Sequence, residues 1–415
     1  LKTGSRVAYG VLSQGVTSLT NFIIVIVIAR TQTPEILGAW TLGFAVVTLG
    51  TTLGRAALST PIILSRADDK FRDIRGGLTC TLAGGTLTAV VTVALGLLGL
   101  ISLPLATALA LSAIAALAQD FLRYSWIARG KPSRSLILDL VWLSAQAAAT
   151  VTVFSLGTND AATLTLTWGG AAALSTFVGI ILDRNARLSL TAALQFYRTY
   201  AVDSRRLLGE SLANALGANL LPFVVTAVLG YAAAGAFRVG QTFLAPLTTL
   251  IAGLTPVILR DISARADRQL STRRIVALSI AGLEVVTVMY GGVLLLLPAS
   301  IGEQLAGETW PLVQQLLLPL VIFALIRPSL NVAMLYLRAR RQFTLLRTAS
   351  WVFLVPTLLW SAAFGWLWGI AGIGWGQVFD GTVRASFYGY RALVARDQRP
   401  RRNPHADPHP DEEQL

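Results

Sequence analysis

Apolar residues in this chain gather into about a dozen stretches of roughly 20 residues or more, separated by short polar connections. An α-helix needs about 20 residues to cross a hydrocarbon core about 30 Å thick, so each stretch predicts one spanning helix. The predicted spans are 7–29, 36–64, 77–101, 104–127, 135–156, 161–182, 208–229, 232–259, 275–297, 311–336, 344–365 and 369–392. The strands of a membrane β-barrel are shorter and alternate polar with apolar, which this pattern does not.

The connections carry the second signal. Those that follow odd-numbered spans hold a single basic residue, Arg30. Those that follow even-numbered spans hold Arg66, Lys70, Arg72 and Arg75, then Arg129, Lys131 and Arg134, and comparable clusters at 184–206, 260–274 and 338–341. Short Lys/Arg-rich loops stay on the cytoplasmic side, so both termini are expected inside. Spans three with four, and eleven with twelve, are separated by the tight turns GLLGLISLPLA and FGWLWGIAGIG. The inner connection 183–207 sets Leu188, Leu190, Ala193, Leu194 and Tyr197 beside basic residues, which suits an interfacial helix or an ordinary cytoplasmic loop. The segment 393–415 is rich in Pro, Asp, Glu and Arg and is expected to be a disordered cytoplasmic tail.

An internal echo divides the chain near that linker. Gly38-Ala39-Trp40 matches Gly235-Ala236-Phe237, and Pro61 to Leu64 match Pro256 to Leu259, each in the second span of its half. Six spans separate equivalent positions, so the halves re-enter from the same side and form parallel repeats about an axis normal to the membrane. The expected organisation is an N-terminal six-helix lobe at 1–182, the linker at 183–207 and a C-terminal six-helix lobe at 208–392.

Composition agrees and removes alternatives. The mean hydropathy is +0.63 and 13% of residues are charged, too apolar for a soluble chain of 415 residues. The first stretch is long for a signal-peptide core and is kept as a helix. A single cysteine, Cys80, rules out an intramolecular disulfide, and the two histidines, His405 and His409, are far from any acidic or cysteine cluster, so no metal or other cofactor is expected. The net charge of +13 is spent at helix ends, so nucleic acid is not an expected partner. No Gly-rich loop followed by Lys-Ser or Lys-Thr is present for ATP hydrolysis.

Candidate chemistry lies in charges placed within the spans, where each costs several kcal/mol unless it snorkels or meets polar surroundings. Asp120 and Arg123 are spaced to pair on one helix face, as are Asp380 and Arg384. Asp139 and Glu210 sit near inner ends. Arg55, Arg238, Glu284 and Arg327 have no opposite charge within a turn and must be answered across helices, by water or by a ligand. A guanidinium binds an oxyanion through two parallel hydrogen bonds, which makes Arg55, Arg238 and Arg327 candidates for substrate binding. Glu284, Asp380, Arg384, Asp120 and Arg123 are candidates for coupling or gating. Pro328 directly follows Arg327 and is placed to bend its helix there. Trp310, Trp366 and Trp368 read as headgroup anchors, with Trp40 anchoring or packing near the outer mouth.

The opening segment GVLSQGVTSLTNFIIVIVIARTQTPEILGAWTLGFAVVTLGTTLGRAALSTPIIL, with its counterpart GAFRVGQTFLAPLTTLIAGLTPVILRDIS, resembles the polysaccharide flippase branch of the multidrug/oligosaccharidyl-lipid/polysaccharide exporter superfamily. The resemblance implies a V-shaped transporter of two six-helix lobes in a bacterial inner membrane, not an enzyme. It implies translocation of a polyprenyl-diphosphate-linked oligosaccharide to the outer leaflet, with basic cavity residues receiving the diphosphate or acidic sugars. Expected partners are that lipid-linked anionic glycan, membrane lipids and the glycosyltransferases or polymerase of the same pathway, around a functional monomer. The rivals are an ion-coupled exporter of small molecules and a membrane glycan polymerase or ligase.

Overall fold

The computed structural model describes residues 3–64, 70–183, 186–251, 254, 258, 262, 273–340 and 342–397. Among them the chain is α-helical with short turns. The helices are α1 (Thr3–Thr31), α2 (Pro34–Gly54), a π-helical turn (Arg55–Ser59), α3 (Thr60–Leu64), α4 (Lys70–Leu97), α5 (Leu103–Ala128), α6 (Pro132–Ser155) and α7 (Ala161–Leu182). They continue with α8 (Leu190–Leu229), α9 (Tyr231–Phe243), α10 (Arg273–Leu295), α11 (Ala299–Ala306), α12 (Trp310–Ala339) and α13 (Phe343–Asp397).

Ten of the described helical segments are long and apolar enough to cross a membrane, which makes this a multi-pass membrane protein. The last of them is two helices. Trp368 and Gly369 leave helical geometry, Gly369 at φ +65°, and the chain folds back on itself there. Thr357 is hydrogen-bonded to Asp380, and Phe353 lies edge-on to Phe387 at 5.5 Å, the pairing of an antiparallel hairpin. Spans eleven and twelve are thus separate helices. The eighth span is interrupted: α9 ends at Phe243, the chain is helical again at 245–251, and most of 252–259 lies outside the described residues.

Turns follow the local chemistry. Gly99 supplies positive φ between α4 and α5, where a side chain would be strained. Asp160 caps α7 by accepting from the amides of Ala162 and Thr163, and the Thr163 hydroxyl holds this carboxyl below its ordinary range.

The linker resolves into helix. At about 1.5 Å per residue, the 40 residues of α8 span about 60 Å, twice the hydrocarbon thickness, so its first turns project beyond the membrane on the face that carries the basic loops. Phe196 and Tyr200 are buried against the start of α4, while Leu190, Leu194 and Tyr197 stay exposed. Of the 393–415 segment, residues 393–397 continue α13 and the rest lies outside the described residues.

The halves meet on the opposite face. A Cβ on Gly38 of α2 would collide with the Tyr231 carbonyl oxygen, and one on Gly235 of α9 would come within 2.8 Å of the Pro34 carbonyl oxygen. Equivalent residues of the two repeats thus make reciprocal contacts, as surfaces do about a two-fold axis. The Tyr231 hydroxyl donates to the Leu100 carbonyl at 2.8 Å, and residues 299–309 pack on α1, closing the same end.

Gly38→Ala should therefore force α2 and α9 apart and lower the unfolding free energy in detergent by about 1–3 kcal/mol, the usual cost of overpacking. Gly84→Ala, with open space around it, should be neutral or gain up to about 1 kcal/mol of helix propensity. Thermal unfolding of the two variants side by side checks the crossing.

Candidate functional site

Near the basic face, four charges of the N-terminal half alternate in sign, with Asp120, Arg123 and Asp139 buried and Arg55 partly exposed. Arg55 grips Asp120 through two parallel hydrogen bonds, Nε to Oδ2 and Nη2 to Oδ1, both 2.7 Å. Arg123 lies 3.7 Å from the same carboxylate, and its Nε donates to Asp139 Oδ2 at 3.1 Å. Ser13 donates to Asp139, as does Gln119 Nε2 at 3.1 Å, and Gln14 Oε1 accepts from Arg123 Nη2 at 2.9 Å. Two guanidiniums and two carboxylates sum to zero, which is how a low-dielectric interior tolerates them. Helices α1, α5, α6 and the π-turn are tied together through this one cluster.

The π-turn has a sequence cause. Pro61 lacks the amide that would bond the Ala57 carbonyl, so the helix widens before it. The freed Ala57 carbonyl accepts instead from the Ser204 hydroxyl at 2.6 Å, which docks α8 on the N-terminal half beside Arg55.

Arg55 is 37% exposed, against 8% for Asp120, and it borders a cavity of about 190 Å³. The cavity runs from Arg55 and Asp120 past Thr48, Thr51 and Thr52 to Phe44, Trp142 and Trp168. Phe44 stacks on Trp40 at 4.4 Å, and Arg238 of α9 lies over the Phe44 ring at 4.8 Å. Arg238 has no carboxylate partner among the described residues, and its Nε makes no hydrogen bond. An aromatic face attracts a cation but leaves its charge in place.

A second cavity, of about 300 Å³, lies in the C-terminal half against α12. Arg327, Asn331 and Arg338 line it, and their spacing of four and seven residues puts them on one helix face, opposite Thr248 and Ile251. Arg327 touches the Phe323 ring at 5.5 Å and has no carboxylate partner among the described residues. Pro328 removes the amide that would bond the Ala324 carbonyl, loosening the ladder beside this arginine. The cavities are neighbours: Thr17 and Asn21 of α1 line the first, Thr248 lines the second, and Ser18 is hydrogen-bonded to Thr249 at 2.7 Å between them.

The structure thus divides the arginines named from sequence. Arg55 is paired, while Arg238 and Arg327 have no carboxylate partner among the described residues; Arg55 lines the first cavity, Arg327 the second, and Arg238 backs the first through the Phe44 ring. Asp120 and Arg123 are near one another, but each takes its closest charged partner from another helix, Asp120 from Arg55 and Arg123 from Asp139. Asp380 and Arg384 form a 3.0 Å pair, with Thr357 donating to Asp380 and accepting from Arg384, so the cluster pins the α13 hairpin. Glu284 accepts from Ser329 at 3.1 Å and forms no ion pair with Arg327. The Glu210 side chain lies outside the described residues.

Tryptophan positions need correction. Trp366 and Trp368 are 80% and 59% exposed at the hairpin turn, but Trp310 is 2% exposed and packs on Phe243, so it is a core residue. Trp40 is buried and donates to Thr165 at 2.9 Å. Sequence reasoning missed the aromatic wall of Phe44, Trp142 and Trp168. Its signal was present, because Trp142 and Trp168 sit about two turns inside their spans, deeper than the headgroup belt where tryptophan usually concentrates.

No protein-family model and no curated protein sequence matches the chain. Solved structures do match along nearly all of it. An inward-facing multidrug resistance MATE family transporter of the MOP superfamily superposes with a TM-score of 0.69, at 14% identity over 93% of this chain and 98% of that one. A MATE transporter in complex with MaL6 gives 0.66, at 14% identity over 95% and 97%. The lipid II flippase MurJ in an inward closed conformation gives 0.66, at 12% identity over 92% and 86%. The fold is that of the MOP superfamily transporters.

Removing one member of the buried network should be costly. Arg123→Met leaves Asp139 buried without its cation and is expected to destabilise the protein by about 3–5 kcal/mol, whereas Arg123→Met with Asp139→Leu should recover at least about 1 kcal/mol. Denaturant unfolding in detergent measures both; a double variant no more stable than the single one would contradict the pairing.

Proposed function

We propose that the protein carries a polyprenyl-diphosphate-linked oligosaccharide from the cytoplasmic to the outer leaflet by alternating access, as a monomer in a bacterial inner membrane with both termini inside. The supporting observation is a pair of guanidiniums that no carboxylate neutralises among the described residues: Arg327, which lines the C-terminal cavity, and Arg238, which lies over Phe44 of the N-terminal cavity wall. Each attracts a multiply charged anion, and a diphosphate offers the paired oxygens that a planar guanidinium matches. Likeness of fold to a lipid II flippase favours the same cargo class.

In this reading the basic face is the entrance. The diphosphate and its hydrated glycan enter between the lobes while the prenyl chain stays in lipid. Arg55 meets the anion first, exchanging Asp120 for phosphate oxygens; Asp120 then falls to Arg123, whose buried Nη1 lies 3.7 Å away with no hydrogen bond of its own. Separation of the Gly38–Gly235 crossing as the lobes rock would open the opposite face. Polar walls lower the barrier by replacing the water that a glycan would otherwise lose in hydrocarbon. Removal of cargo by a polymerase or glycosyltransferase of the pathway, or an ion gradient, supplies direction.

A second reading, an ion-coupled exporter of small molecules, draws on the likeness to multidrug MATE transporters and on the fully buried Asp139. Asp139 is held by Arg123, Ser13 and Gln119, a saturated environment that suits a structural anchor better than a titrating group. A glycan polymerase or ligase would need acceptor-binding groups on the outer side, where residues 299–309 offer only a short helix bearing Glu303 and Gln304 and a turn bearing Glu308.

Leaflet-resolved transfer in proteoliposomes tests the proposal. Wild type should move an undecaprenyl-diphosphate glycan, and Arg238→Gln and Arg327→Gln should each slow transfer about 10- to 100-fold, the worth of a charge-assisted hydrogen bond. Arg55→Gln should cost less, because Asp120 already competes for that side chain. Unchanged transfer in both Arg238→Gln and Arg327→Gln would contradict it, and cation-driven efflux of a small molecule without lipid transfer would favour the second reading.

A further inference from the structure

We infer that the cavity of the N-terminal half is a sugar compartment that seats one neutral glycosyl ring, with the diphosphate held separately in the C-terminal cavity at Arg327; this rests on the transport reading above. The lining is of two kinds. It includes the indoles of Trp142 and Trp168, 5.4 Å apart between ring centres. The electron-rich face of an indole meets the C–H face of a pyranose favourably. The same lining holds the polar Asn21, Thr51 and Thr52.

The hydrogen-bond inventory of that lining matches a polyol. Thr51 and Thr52 give their protons to carbonyls one turn back, Val47 at 2.9 Å and Thr48 at 2.8 Å, so their oxygens retain acceptor capacity. Asn21 lines the cavity and makes no hydrogen bond among the described residues, which leaves its donors and acceptor to a ligand. Trp168 is 3% exposed, lines the cavity, and its indole N–H has no partner. A buried donor left unmade costs about 1–3 kcal/mol, and a ligand oxygen would answer it. Several acceptors with a few donors is the pattern that a set of sugar hydroxyls satisfies.

Charge and size narrow the ligand. The Arg55, Asp120, Arg123 and Asp139 set is neutral in sum, and the nearest unneutralised charge is the cation Arg238, on the Phe44 ring. An organic cation would meet repulsion there, and Phe44 has no free face, with Trp40 on one side and Arg238 on the other. A cavity of about 190 Å³ is below the range of roughly 300–1,000 Å³ typical of sites that enclose drug-sized ligands. One ring fits it better than an extended drug.

The test compares transfer of undecaprenyl diphosphate bearing one N-acetylhexosamine with transfer of bare undecaprenyl diphosphate. Thr51→Val with Thr52→Val, Asn21→Leu and Trp168→Phe keep the bulk of the wall. In each, the ratio of glycosylated to bare transfer should fall about tenfold, the worth of roughly one neutral hydrogen bond. Arg327→Gln should slow both lipids alike. A ratio unchanged in all three wall variants would overturn the compartment. If wild type moves neither lipid, the transport reading falls, and tryptophan fluorescence decides the cavity by itself. Quenching by methyl glucoside that is lost in Thr51→Val with Thr52→Val would uphold a sugar site. Quenching by tetraphenylphosphonium alone, or by neither probe, would overturn it.

Discussion

A charge inside hydrocarbon has to be answered, and this protein answers its intramembrane charges in two ways that divide structure from site. Where position must be fixed, opposite charges meet across helices. Arg55, Asp120, Arg123 and Asp139 lock α1, the π-turn, α5 and α6, while Asp380 and Arg384 share Thr357 at the hairpin of α13. Elsewhere the cation is left with an aromatic ring, at the positions proposed to meet the ligand. Arg238 lies over Phe44 and Arg327 against Phe323, contacts that make a buried guanidinium tolerable without cancelling its field.

Two backbone contacts join the halves, one at each face. The halves meet closely at Gly38 and Gly235, where the absence of side chains lets the Tyr231 and Pro34 carbonyls approach the facing glycine. Near the basic face, a single proline sets the other tie: Pro61 frees the Ala57 carbonyl, and Ser204 takes it, so α8 is both linker and spanning helix. Because α8 is continuous from Leu190 to Leu229, one helix joins its spanning part to the turns seated on α4 and the π-turn, beside Arg55. In the proposed transport cycle, entry of an anion at Arg55 and rearrangement of the lobes would be neighbouring events.

Much of the fold was legible because lipid imposes simple rules. Span length, the tight turn at Trp368 and Gly369, and the alternation of basic loops follow from hydropathy and charge alone. The repeat was visible in Gly38-Ala39-Trp40 and Gly235-Ala236-Phe237, and the structure brings those glycines to the same crossing. The site was only half legible. Pairings within a helix follow from spacing, as for Asp380 and Arg384, but Arg55 with Asp120 is set by how α2 and α5 pack, across 65 positions of sequence. Trp310 was misread for the same reason: a tryptophan at a span's end is an anchor only if it faces lipid, and the packing of residues 299–309 turns this one inward against Phe243. The cavity wall of Trp142 and Trp168 was written as depth within a span, a signal overshadowed by the charges.

The central claim is that anion affinity resides in the two guanidiniums, Arg238 and Arg327, that have no carboxylate partner among the described residues, and that the neutral network contributes shape. Binding of undecaprenyl diphosphate to the purified protein, titrated in detergent, addresses it without recourse to transport. The account predicts that Arg238→Gln with Arg327→Gln weakens binding by at least about a hundredfold, while Arg55→Gln with Asp120→Asn, which removes a matched pair, leaves most of it. Retention of affinity in the first variant and its loss in the second would contradict the account.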